Sequence, residues 1–224
     1  MPDLLDFGGA PLMEFASGRL RRGIRAAATA VRYQDGAVLH AHGDDKPGLS
    51  IVRSGAVRFG LVDADGTYIA TSLLGAGHCF GEATLFAGRA RTHDAVAVGE
   101  TIIEQIDKAR FDRLLDQEPD LARALLKATT RRLYSALDFM DDLRRLPLPV
   151  RTAKLVALMA NSAEQDGSVA CNQADLAFTL GVSRVSVGKA LGDLQKEGIL
   201  KLGYGKIDIP SRARLHEWIA DRSA

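Results

Sequence analysis

The stretch that most constrains the fold is NQADLAFTLGVSRVSVGKALGDLQKEGIL, residues 172–200. Its apolar residues recur at steps of three and four on both sides of Gly181, which is the spacing of two amphipathic helices packed against each other. Gly181 stands where a left-handed residue ends a helix, and Ser183 is a good N-cap for the next one. The packing positions are Leu176, Ala177, Leu180, Val187, Ala190, Leu191 and Leu194. This pattern predicts a helix-turn-helix.

The second of these helices carries Arg184, Ser186 and Lys189 on its outer face near its N-terminus. A helix lying in the major groove of DNA meets base edges and phosphates with those positions. We therefore expect a DNA-reading head. The alternative is an ordinary packed helical hairpin whose charges are solvated.

The residues that follow, GILKLGYGKIDIP, form two short apolar runs around the turn from Gly203 to Lys206. They predict a β-hairpin, which beside a helix-turn-helix is a wing. A short helix over residues 212–220 closes this domain, with Trp218 as a packing anchor.

Residues 31–106 consist of short apolar runs separated by glycines, a pattern typical of short antiparallel strands. About eight strands closed into a sandwich or jelly-roll barrel would fit this spacing. The pairs Asp65-Gly66 and Ser54-Gly55 are predicted to be turns between strands. The whole chain is therefore expected to be of the α+β class.

Residues 107–145 contain no glycine, and they predict helices. Asp107 caps a short helix, and a long helix follows Pro119, which suits a first helical turn. The long helix has a heptad-like seam, which we expect to pair with a second copy of the chain. Its alternative role is to pack on the barrel. The predicted dimer interface consists of Leu126, Thr130, Leu133, Leu137 and Met140.

The segment LPLPV, residues 146–150, must interrupt the long helix because proline cannot continue it. It separates the domains. We expect a β-barrel domain over residues 1–118, a dimerisation helix over 119–146 and a winged helix-turn-helix over 147–224.

Composition limits the other functions. The 224 residues have a formal net charge of only +1, so affinity for nucleic acid must come from a local concentration of positive charge. No apolar run is long enough to span a bilayer, and the first residues lack the pattern of a secretory signal, so a cytoplasmic protein is expected. The two cysteines, Cys79 and Cys171, exclude a disulfide framework, and no metal site is expected.

Two segments resemble the CRP/FNR family of bacterial transcription regulators. GVSRVSVGKALGDLQKEGIL, residues 181–200, is similar to the family's recognition helix, and FGEATLFAGRARTHDAVAV, residues 80–98, is similar to the phosphate-binding cassette of cyclic-nucleotide-binding domains. The resemblance extends over almost the whole chain in the order barrel, long helix, hinge and winged head. It implies a homodimer that binds a palindromic operator, contacts RNA polymerase and is controlled by a small effector bound in an effector-sensing barrel, next to the long helix.

The cassette also has a chemical logic of its own. Gly81 lets backbone amides approach an anion, Glu82 can accept a hydrogen bond from a ribose hydroxyl, and Arg91 offers a planar cation to a phosphate. Thr92 adds a hydroxyl donor. The structural alternative is that Gly81 makes a tight turn while Glu82 and Arg91 pair with each other.

The chain departs from the family at several effector positions. His93 and Asp94 follow Arg91-Thr92 where a small residue is usual, and the positions that hold adenine in the cyclic-AMP receptor protein correspond to Ala136 and Leu137. Their side chains cannot hydrogen-bond a base. Cyclic AMP or cyclic GMP therefore stay candidate effectors beside another small molecule or none.

The recognition helix departs as well. Val185 stands where the cyclic-AMP receptor protein has a glutamate, so the operator should differ at that step. Arg184 suits bidentate contact with guanine, whereas Ser183, Lys189 and Gln173 are better placed for phosphates.

Three other functions are alternatives to an effector-controlled regulator. A ligand-independent member would use its barrel as a scaffold for dimerisation or polymerase contact. A haem-based sensor would use His78 or Cys79 as an axial ligand, although an adjacent His-Cys pair is more often ordinary packing. An enzyme is disfavoured because no nucleophile-base spacing, metal-ligand cluster or phosphate-binding loop of the P-loop type is present.

Overall fold

The computed structural model describes residues 10–62, 68–162, 168–171 and 173–223. The chain divides into two compact units, and the division falls between Ser135 and Ala136. The turn predicted at Asp65-Gly66 lies outside the described residues.

The first unit is built on an antiparallel sheet of six described strands. Its backbone order is β1-β6-β3-β4, with β2 paired to β6 and β5 paired to β3. The strands are β1 (Thr29–Tyr33), β2 (Val38–His40), β3 (Gly48–Val62), β4 (Tyr68–Leu74), β5 (Cys79–Phe80) and β6 (Asp94–Asp107). Together with the helices described below they confirm the α+β class.

The turn predicted at Ser54-Gly55 is wrong, because β3 continues through both residues. The pairing of β3 with β6 instead shifts register on either side of Ser54, so the glycine marks a bulge. Gly55 has φ +75°, and a Cβ there would lie 2.5 Å from Oγ1 of the buried Thr101. A bulge and a turn both require a glycine with a positive φ angle. The neighbouring residues in the sequence do not show which of the two structures is formed.

Helices cover the sheet of the first unit. They are α1 (Leu12–Phe15), α2 (Gly18–Ala27), α3 (Glu82–Phe86) and α4 (Lys108–Gln117). Leu20 and Ile24 of α2 and Phe111 of α4 join Ile51 and Ile106 of the sheet in one apolar cluster. As predicted, Asp107 caps α4, and its side chain accepts a hydrogen bond from the backbone N–H of Arg110.

The long helix α5 runs from Asp120 to Arg145. One of its faces is buried through Leu121, Ala124, Leu125 and Ala128. The helix ends before the interruption predicted at residues 146–150. The next helix, α6 (Leu148–Ser162), already begins within that segment.

The second unit contains α6 and a small helical head with a three-stranded sheet of order β7-β9-β8. Its further elements are β7 (Ser168–Ala170), α7 (Gln173–Thr179), α8 (Arg184–Lys196), β8 (Lys201–Gly203), β9 (Lys206–Asp208) and α9 (Arg212–Ser223). The β8–β9 hairpin is the predicted wing, and Tyr204 at its tip is fully exposed. Across the described ranges, no helix combines the length and apolar character needed to cross a membrane.

One carboxylate joins the end of α8 to α9. Glu197, the C-cap residue of α8, accepts a hydrogen bond of 2.7 Å from Nε1 of Trp218 and one of 3.3 Å from Arg222. The Arg222 guanidinium also lies 4.4 Å from the centre of the Trp218 ring. Trp218 is thus fixed by a hydrogen bond as well as by packing.

Candidate effector cavity and DNA-reading helix

A cavity of about 290 Å³ lies in the first unit beside α3. Its wall combines aromatic rings, two arginines and one carboxylate. The lining residues used below are His40, Phe59, Phe80, Gly81, Glu82, Thr84, Arg91, Thr92, His93 and Arg132. The four cassette residues predicted from the sequence therefore meet at one cavity.

Gly81 shapes the entrance to α3. It has φ +97°, and a Cβ at this position would collide with the backbone oxygen of Gly48 and with the Arg91 guanidinium. Its own carbonyl accepts a hydrogen bond of 2.7 Å from the hydroxyl of the buried Thr84. Only glycine fits here, because both the backbone conformation and the space exclude a side chain.

Arg91 is held against the backbone. Its Nη2 donates to the carbonyl oxygen of Gly48 at 3.3 Å and to that of Lys46 at 3.5 Å. Burial lowers the pKa of this guanidinium, which the charge of Glu82 partly offsets. Arginine nevertheless stays charged in proteins, so the cavity contains a fixed cation.

Glu82 pairs with an arginine from α5. Arg132 donates from Nη1 to Oε1 of Glu82 at 2.5 Å and from Nη2 to the carbonyl oxygen of Cys79 at 3.0 Å. Among the described residues, Oε2 of Glu82 and Nε of Arg132 are buried without a hydrogen-bond partner. The alternative pairing of Glu82 with Arg91 is not the one adopted. Both unpartnered atoms are closed to solvent, although the side chains of Glu82 and Arg132 keep 15% and 26% of their surface exposed.

His40 supplies a neutral ring to the same wall. Burial, and next the charge of Arg91, lower its pKa to about 4. The ring centre lies 6.1 Å from that of Phe59 and 5.7 Å from that of Phe80. Nearby, Nδ1 of His93 is 2.9 Å from the hydroxyl of Thr92, so His93 engages the predicted hydroxyl donor.

The DNA-reading helix has the predicted local structure. Gly181 is left-handed with φ +64°, and the Ser183 hydroxyl accepts a hydrogen bond of 3.1 Å from the backbone N–H of Ser186. The hydroxyls of Ser183 and Ser186 are 2.9 Å apart and bond to each other. Within the described portions of the chain, Arg184 and Lys189 are exposed and form no hydrogen bond or ion pair. Val185 is 83% exposed.

Two family models match this chain side by side. The "Cyclic nucleotide-binding domain" matches residues 30–118, and the "Crp-like helix-turn-helix domain" matches residues 121–218. The cyclic AMP receptor protein of Thermus thermophilus is 30% identical over 186 residues, which cover 83% of this chain and 85% of that protein. The CRP-like cAMP-activated global transcriptional regulator of Mycobacterium tuberculosis is 28% identical over 191 residues, with the same coverage of both chains.

The chain belongs to the CRP/FNR family. A solved structure of a CRP/FNR-family transcriptional regulator from Thermus thermophilus superposes with a TM-score of 0.70 at 27% identity, over 87% of this chain and all of that one. The chain is thus a DNA-binding transcription regulator with a cyclic-nucleotide-binding domain, and its relatives form a non-enzymatic family. Regulators of the CRP/FNR family bind DNA and act as dimers.

The residue of α5 that lines the cavity is not one of the two that the sequence predicted. Neither Ala136 nor Leu137 lines the cavity, whereas Arg132, one helical turn earlier, does. The sequence interpretation missed Arg132. The signal that was available is its position four residues before Ala136, which places both on one side of the helix.

The predicted dimer seam of α5 is largely exposed. Leu126 is 68% exposed, Leu133 56%, Met140 47% and Leu137 45%, while Thr130 is half-buried. An exposed row of four large apolar side chains along one helix is unusual for a protein that stays monomeric.

The pair His78-Cys79 has a packing role. Cys79 is 2% exposed within the apolar cluster, and burial raises the pKa of its thiol to about 12. Nδ1 of the buried His78 lies 3.1 Å from the carbonyl oxygen of Gly75. In the ranges that the structure describes, no group of three or more potential ligands is arranged to hold a metal ion.

Proposed function

We propose that this regulator is a homodimer controlled by a small anionic effector that carries a hydroxyl group next to its anion. The observation that carries the proposal is a single cavity that combines the Glu82 carboxylate, the Arg91 guanidinium and the Thr92 hydroxyl. Oε2 of Glu82 is buried without a hydrogen-bond partner in the described part of the chain, which costs about 1–3 kcal/mol. A ligand hydroxyl that donates to Glu82 would offset that cost, and Arg91 would attract the ligand's anion.

A cyclic nucleotide has this chemistry, with a ribose hydroxyl beside a ring phosphate. The relatives from Thermus and Mycobacterium are named for cyclic AMP, which supports the same class of effector here. We expect weak discrimination between adenine and guanine, because Ala136 and Leu137, at the family's base-holding positions, carry no polar side-chain atom and do not line the cavity. The aromatic wall of His40, Phe59 and Phe80 suits a planar ring of either kind.

A ligand-independent regulator is the second candidate, and one observation favours it. Arg132 already neutralises Glu82, and Arg91 is already held by two carbonyl oxygens. The cavity could thus be a stable scaffold whose charges serve the barrel alone.

Thermal unfolding of the full chain with cyclic AMP and cyclic GMP separates the two candidates. A bound effector raises the melting temperature by mass action, and Glu82→Gln should reduce that rise because it removes the charged acceptor. Glu100→Gln is the matched control, since Glu100 forms an exposed ion pair with Arg32 in the same unit. If neither nucleotide changes the melting temperature or binds in calorimetry, and the free protein binds DNA tightly, cyclic-nucleotide control is rejected.

We assign dimerisation to the exposed seam of α5. A second copy would cover Leu126, Leu133 and Met140, and two recognition helices about one DNA turn apart would match a palindromic operator. The effector would shift the equilibrium between two arrangements of the helix pair. RNA polymerase is the expected further partner, and a DNA-bound regulator would act in the cytoplasm.

Light scattering tests the seam directly. Leu133→Asp places like charges at the centre of the interface, and we expect it to give a monomer that binds a palindrome far more weakly than the wild-type chain. Val38→Asp, which changes an exposed apolar residue of the barrel, should stay dimeric. If the Leu133→Asp variant is still a dimer, the seam of α5 is not the dimer interface.

A further inference from the structure

The outer face of α8 has an apolar residue, Val185, at its centre. At about 100° per residue, the buried Val187, Ala190, Leu191 and Leu194 define the inner face of the helix. Val185 lies within about 10° of the opposite direction, and Lys189 and Gly192 lie within about 30° of it. Arg184 lies about 110° away, on the flank. The residue that points most directly away from the head is therefore Val185.

Val185 has no structural task within its own unit. It is 83% exposed, and a β-branched residue in the first turn of a helix contributes less to helix stability than alanine would. On the flank, the two serine hydroxyls of Ser183 and Ser186 are occupied with each other and with the helix cap. The central position thus presents two methyl groups with a fixed rotamer, and its polar neighbour on the same face is the exposed Lys189, one helical turn further along α8.

Two glycines follow Val185 along the helix, Gly192 on the outer face and Gly188 on its flank, about 70° from the outer direction. Nothing lies within 4 Å of the place where a Cβ of Gly192 would be, and at Gly188 the nearest neighbour is the side-chain amide of Gln173, 3.3 Å away. Gly188 thus faces α7, whereas a side chain at Gly192 would hold that part of the outer face away from a surface it approaches. Its absence helps a residue as short as valine to reach the floor of a groove.

We propose that Val185 reads the C5 methyl group of a thymine at the centre of each operator half-site. Thymine is the only standard base that presents a methyl group in the major groove. The polar edges of the other bases would lose water to Val185 without gaining a hydrogen bond, which is unfavourable. The inference rests on the proposed binding of DNA through α8, and it names the chemistry that this helix recognises.

The test replaces thymine by uracil, which removes only the methyl group. The full chain first selects its binding sequence from random duplex DNA, with and without cyclic AMP, and each thymine of the selected half-site is then replaced in turn. We expect one thymine whose replacement weakens binding about fourfold, the equivalent of one buried methyl group, and about sixteenfold when both half-sites are changed.

Val185→Ala should bind the selected sequence but lose the difference between thymine and uracil at that base pair. Its melting temperature should stay the same or rise slightly, since alanine is the better helix former. Val38→Ala, at another exposed valine, should keep the difference in full.

The proposal is overturned if the wild-type chain tolerates uracil at every position of its selected site, or if Val185→Ala keeps the same sensitivity. Sequence-specific DNA binding by the chain would stand in both cases, because a sequence has been selected. If no sequence is selected under any condition, the proposed DNA reading by α8 fails together with the role of Val185.

Discussion

Charged side chains are paired in the effector cavity, whereas among the described residues those on the exposed surface of the first half of α8 are left unpaired. In the cavity, Glu82 is paired with Arg132, and Arg91 is held by backbone carbonyls. On α8, Arg184 and Lys189 point into solvent. A small molecule that enters the cavity has to fit charges that are already compensated, whereas DNA supplies the charges that α8 leaves open. The first site is consequently part of the stability of the protein, and the second is not.

The largest expected effect is that of Gly81→Ala. Collision with the Gly48 carbonyl and a left-handed backbone should together lower the free energy of unfolding by about 3 kcal/mol or more. Gly181→Ala, at the turn before α8, faces open space and should cost only about 1–2 kcal/mol. Denaturant unfolding of both variants measures the contrast, and equal losses would mean that the cavity is no more constrained than the head.

Arg132→Met comes next. It leaves the Glu82 carboxylate buried without its partner, which should destabilise the chain by about 2 kcal/mol, less than for a fully buried pair because Arg132 is partly exposed. Arg32→Met removes an arginine from an exposed pair with Glu100 and should cost under about 1 kcal/mol. Chemical denaturation at neutral pH compares the two, and a cost as low as that of Arg32→Met would contradict a structural role for the cavity pair.

Arg184→Ala should leave stability within about 0.5 kcal/mol of wild type, because its side chain has no partner in the described part of the protein. Its affinity for the selected operator should fall by about 1–3 kcal/mol, with loss of preference at the guanine it contacts. Arg22→Ala, at an exposed arginine of α2, is the control in the same fluorescence-anisotropy titration. Unchanged sequence preference would remove Arg184 from the reading face.

The smallest effect concerns pH. The pKa of His40 is lowered to about 4 in the folded chain, below the value of about 6.5 expected when it is unfolded. The unfolded chain therefore takes up the proton first, so stability is complete above about pH 6.5 and decreases as the pH falls towards 4. Solvent screening of the partly exposed ring limits the loss to about 1 kcal/mol. His40→Gln should flatten this part of the stability profile, and an unaltered profile would place the pH dependence elsewhere.

Short-range patterns of the sequence predicted the head better than the cavity. The cap at Ser183 and the left-handed Gly181 depend on residues a few positions apart, so their signals are local and both are present in the structure. The contact between Arg132 and Glu82 joins residues 50 positions apart, and no local pattern contains it. Ser54-Gly55 failed for another reason, since a glycine demanded by a bulge has the same surroundings as one demanded by a turn.

The hydrogen bond from Trp218 to Glu197 also makes Trp218 an intrinsic fluorescence probe of the DNA-reading head. Trp218 is the single tryptophan of the chain, and its indole sits at the C-cap of α8. Emission from that indole reports the integrity of the DNA-reading head alone, whereas circular dichroism averages over both units. Comparing the two signals during unfolding would reveal whether the barrel and the head melt as one cooperative body or in succession.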